Sequence, residues 1–108
     1  MSLLISAASS TPRDFSDADN AALDELSFSL SEGNWREHVR EIFFPKTVED
    51  ELDLPVQDAL DAAQEFISYH SGKILDTYHA WHVEVARKLI KLCEKAIILN
   101  CDRISVAG

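Results

Sequence analysis

KILDTYHAWHVEVARKLIKLCEKAIILNCDRISVAG, residues 73–108, decides how this chain reads. Ile74, Tyr78, Trp81, Val85, Leu89, Leu92, Ala96 and Leu99 recur at steps of three and four, with Leu75, His82, Ala86, Ile90, Cys93 and Ile97 in a second row beside them. That period predicts one long apolar-faced helix from Lys73 to about Asn100. Glu84 and Lys88 add a favourable i, i+4 pair on the polar side.

Charge divides at the same place. Residues 1–72 hold four Lys and Arg against fifteen Asp and Glu, whereas residues 73–108 hold six against four. The 108-residue chain carries a net charge of −9. Phosphate binding draws on a basic stripe that releases counterions. Here only Arg87, Lys88, Lys91 and Lys95 cluster, on one flank of an amphipathic helix, so general nucleic-acid binding is not expected. The acidity suits a basic partner, or simply solubility.

Upstream of residue 73 the same reasoning gives more helix. Ser16 and Asp19 form a capping box, and Ala22, Leu23, Leu26 and Leu30 follow at helical spacing. The stretch Leu26-Ser-Phe-Ser-Leu30 also alternates with period two, as a strand does. A lone short strand would have no partner, so helix is expected through Leu30. Asn34 and Glu37 make an N-cap and N3 pair ahead of Trp35, Val39, Ile42 and Phe43, and Pro45 stops that helix. Thr47 caps one short turn that brings Val48 and Leu52 inward. Pro55 suits the first turn of the next helix, whose stripe is Val56, Leu60, Ala63, Phe66 and Ile67. Gly72 is placed to end it in the left-handed conformation, and so short a connection favours an antiparallel helical hairpin. The expected fold is all-α: a small three- to four-helix bundle with a long C-terminal helix. Residues 1–14 are expected to be a flexible tail and 15–108 a single helical domain.

Length then suggests a partner. Residues 73–100 as helix span about 42 Å, against about 24 Å for 55–70. The hairpin neighbour covers only the first half of the long helix. Val85, Leu89, Leu92, Ala96, Ile97 and Leu99 are therefore expected to bind a protein partner, with a symmetric homodimer as the simplest form. On this reading the protein is a non-enzymatic interaction module: an adaptor, regulator or host-interaction factor. An alternative is an acidic inhibitor or nucleic-acid mimic that works through Glu49, Asp50, Glu51, Asp53, Asp58 and Asp61.

Catalytic, cofactor and metal sites are not expected. His79 and His82 lie one helical turn apart, and a metal-binding bundle built on them, with His70 or His38, is the third alternative. Zinc needs two more ligands, or one plus water, and no second Cys/His pair has suitable spacing. Asp76 and His79 match the D-x-x-H spacing of helical di-iron proteins, which need a second such motif and two more carboxylates. Cys93 and Cys101 sit about 12 Å apart along a helix, beyond the about 7 Å that a disulfide spans. Free buried thiols in a reducing compartment follow. Trp35 and Trp81 read as core. No run reaches a membrane span, so a cytoplasmic location is expected. The Ser-rich, acid-free N-terminus leaves export by a type III-like route as the alternative.

Overall fold

The computed structural model describes residues 2–11, 14–44 and 53–107. The fold is α/β, not all-α. Strand β1 (Ser2–Ala8) leads to helix α1 (Asp17–Leu26), strand β2 (Phe28–Ser31) and helix α2 (Glu32–His38), which runs on into a π-helical turn (Val39–Phe43). Strand β3 (Asp53–Pro55), helices α3 (Val56–His70) and α4 (Thr77–Ile98) and strand β4 (Arg103–Ala107) complete it. The four strands form one antiparallel sheet in the order β2-β1-β4-β3.

Residues 2–8, expected in a flexible tail, are thus a central strand. Ile5 lies opposite Phe28 on one side and Val106 on the other, and Ala7 opposite Ile104. Leu3, Ile5, Leu54, Ile104 and Val106 are buried on this inner face. Ser2, Ser6, Ser29, Ser31 and Ser105 alternate with them onto the outer face. This is the pattern of an antiparallel sheet with one solvated side. The period-two alternation at Leu26–Leu30 belongs to a real strand, because β1 supplies the partner that looked missing.

The long helix is also shorter than its apolar pattern. Asp76 caps α4, its carboxylate accepting the His79 backbone N–H at 2.8 Å. At the other end Asn100 takes a left-handed φ of 60°. The Cys101 N–H returns to the Ala96 carbonyl at 2.7 Å and the Asn100 N–H to that of Ile97 at 3.1 Å. This is a Schellman motif, with Asn in place of the usual Gly. It turns the chain back into β4.

Other local expectations hold with shifts of register. Ser16 caps α1 through the Asp19 N–H. Ser31, rather than Asn34, caps α2. Pro55 lies just outside α3 as its N-cap. Gly72 has φ +76° in the turn that folds α4 back along α3. The Pro45 stop and the Thr47 turn with Val48 and Leu52 lie outside the described residues.

The sheet is what covers α4. Val85, Leu89, Leu92, Cys93 and Ala96 are each no more than 2% exposed, with α4 packed on α1, α3 and β1. The expected interface is therefore mostly core. Of its six residues only Ile97, 40% exposed, and Leu99, partly buried, reach solvent.

β1 should consequently be indispensable. Deleting residues 2–8 is expected to abolish cooperative urea unfolding followed by circular dichroism. An unchanged transition would mean that these residues are a dispensable tail.

Candidate functional site

All four histidines of the chain fall in one aromatic cluster between the π turn, α3 and the first turns of α4. His38 ends α2, and His82 lies two turns into α4. Their Nδ1 atoms are 2.7 Å apart, and both side chains are fully buried. Trp81 meets the His38 ring edge-on at 4.3 Å, Tyr78 meets that of His82 at 4.4 Å, and Phe66 is 6.3 Å from His82.

The chemistry of this buried pair is constrained. One imidazole donates its Nδ1–H to the Nδ1 lone pair of the other, so the accepting ring must carry its own proton on Nε2. Both Nε2 atoms are buried without a hydrogen-bond partner. An orphaned N–H costs about 1–3 kcal/mol, and adding a charge there costs more. Burial, and then the neighbouring His82, holds His38 down at about 4. Burial lowers His82 as well, against the opposing pull of Glu41 and Glu37. Both rings are therefore neutral at physiological pH.

His70 and His79 occupy the outer half of the cluster. The His70 Nδ1 donates to the Phe66 carbonyl at 2.9 Å, and the His79 Nδ1 donates to the Asp76 carboxylate at 2.9 Å. The Asp76–His79 spacing is thus a helix cap that also orients an imidazole. The His79 backbone N–H, followed by its ring, holds the Asp76 carboxyl below the usual carboxylate range. The two rings are 5.3 Å apart. Among the described residues no group of three or more His, Cys, Asp or Glu is placed to hold a metal ion.

These rings border an open cavity of about 420 Å3, lined among others by Glu41, Phe44, Glu65, Phe66 and Tyr69. A smaller cavity of about 210 Å3 adjoins it, sharing Tyr69, His70 and His79 and adding Lys73, Ile74 and Asp76. Large apolar side chains stand exposed around both. Phe44 is 62% exposed, Tyr69 69%, and Ile74 wholly so. Tyr78, also exposed, donates its hydroxyl to Glu41 at 3.1 Å.

The residues singled out from the sequence lie mostly elsewhere. Asp58 and Asp61 are in the first half of α3, Asp53 is on the open sheet face, and none of them lines either cavity. Glu49, Asp50 and Glu51 lie outside the described residues. Trp35 is core as expected, while Trp81 is partly exposed. Phe44 and Tyr69 were missed. Adjacent Phe43 and Phe44 cannot both face inward on one helix, and that was a readable sign of an exposed ring. Cys93 and Cys101 are free and buried, and burial pushes the Cys93 thiol up to about 12, which keeps it unreactive. No described helix is long and apolar enough to cross a membrane.

Comparison of the chain with protein-family models, with curated proteins and with solved structures yields no match.

The neutral buried pair sets a pH dependence. His38 has a depressed value in the fold, so the unfolded chain binds the extra proton first. Stability is full above about pH 6.5 and is lost as pH falls towards about 4. Between pH 7 and pH 5 the expected loss from His38 is about 2 kcal/mol, measured by urea denaturation at the two pH values. His38→Leu should flatten that slope. A slope that survives unchanged in the variant would assign the effect to other groups.

Proposed function

We propose that this protein is a non-enzymatic protein-interaction module whose contact surface is the end of the molecule where α3 turns into α4. The observation that carries this reading is the gathering of Phe44, Tyr69, Ile74 and Tyr78, all exposed, around two adjoining cavities. Clustered exposed apolar groups are the usual mark of an interaction site. Tyr residues at such sites give large contact area at small entropic cost.

The electrostatics favour a partner segment that is both basic and apolar. Glu41, Glu65 and Asp76 border the same face, within a strongly acidic chain. An acidic inhibitor of a basic protein would use this surface in the same way, so that alternative becomes a case of the main reading. Self-association through Val85–Leu99 has lost its support, because most of that stretch is enclosed by its own sheet and helices. Two buried free thiols suit a reducing compartment.

Selection of random peptides on the immobilised chain tests the reading. Enriched peptides are expected to carry Lys or Arg among apolar residues. Their binding should fall about tenfold or more in Phe44→Ala and Tyr69→Ala, as truncation of central aromatic anchors does. Ile98→Ala, which removes an exposed apolar group elsewhere on α4, should leave binding unchanged. Selected peptides indifferent to Phe44 and Tyr69 would refute the assignment.

A further inference from the structure

The larger cavity has a composition that points to its occupant. Three aromatic rings, Phe44, Phe66 and Tyr69, line it together with the Glu41 and Glu65 carboxylates, and among the described residues no Lys or Arg does. Aromatic faces carry negative potential and attract cations within about 6 Å of the ring centre. Carboxylates beside them reinforce that preference and repel anions.

The chain itself shows that this wall receives a cation. The Lys73 Nζ stands 3.6 Å from the centre of the Tyr69 ring, on the side of the smaller cavity that Lys73 helps to line. Tyr69 is the wall common to both cavities. The Tyr78 hydroxyl, donating to Glu41, fixes one carboxylate at the edge of the larger one.

We propose that the larger cavity binds the cationic side chain of a partner protein, a guanidinium in preference to an ammonium. The planar guanidinium is more weakly hydrated, stacks on rings and pairs with carboxylates through a fork of donors. This rests on the protein-interaction reading and names the chemical group recognised at that site.

Titration of the 15N-labelled full chain with butylguanidinium, butylammonium and neutral butylurea tests it. Butylguanidinium is expected to give saturable amide shifts centred on Glu41, Phe44 and Phe66–His70. Butylurea, of nearly the same shape, should bind about tenfold more weakly, and butylammonium should fall between the two. Glu41→Gln and Tyr69→Leu, both at exposed or half-exposed positions, should each weaken butylguanidinium by about fivefold. The series is repeated in Lys46→Ala, so that a lysine of the chain itself does not compete with the probe. Equal responses to butylguanidinium and butylurea in both backgrounds would overturn the proposal, as would shifts spread along Asp58 and Asp61. The two readings fail separately. Selected peptides without Lys or Arg would keep the interaction surface and remove the cation site. Cation binding with no peptide selected would do the reverse.

Discussion

The pairing of β1 with β4 is the contact on which the rest of the structure depends. Ile5 can be buried only because Phe28 and Val106 flank it in the sheet, and Ile104 only because Ala7 and Leu54 flank it. Their combined inner face is the floor on which α4 lies. With that floor in place Leu89, Leu92 and Ala96 lose all solvent contact. Burial of that much apolar surface, at about 25 cal/mol per Å2, holds α4 in one orientation and so decides where His79 and His82 point.

The functional end of the molecule is built from two departures from regular helix. Asp76 closes the first turn of α4 and holds the His79 ring with the same carboxylate. The π turn after His38 directs Ile42 and Phe43 into the core and leaves Phe44 outside. Single π turns inside helices are frequent at functional sites. Here the turn connects the buried imidazole pair to the lined cavity, since His38 precedes it and Glu41 lies within it.

The helices were legible in the sequence because their signals are local. Ser16 with Asp19, the stripe from Val56 to Ile67 and Gly72 each act within a few residues, and each matches the structure. The sheet was hidden because its signals are not local. The alternation of Phe28 and Leu30 is correct for a strand, but its partner lies in residues 2–8, where serine on the solvent face imitates a tail. Ile104 and Val106 alternate too, yet they follow a helical pattern whose stop is an Asn rather than a Gly. Missing the strands made α4 look uncovered, and the expected interface followed from that one omission. In the cluster, His82 was read as packed, but no sequence spacing ties it to His38 on another element.

The sheet order has a kinetic side. β1 emerges first from the ribosome, and the neighbour it needs on one side is about a hundred residues further along, so loop closure is long and contact order high. Until β4 is synthesised, the apolar edge of β1 has only the four-residue β2 to pair with. A nascent chain in that state exposes an open strand edge, the feature that recruits chaperones or other chains. Maturation of this small domain is thus a post-synthetic event, gated by its last strand rather than by its helices.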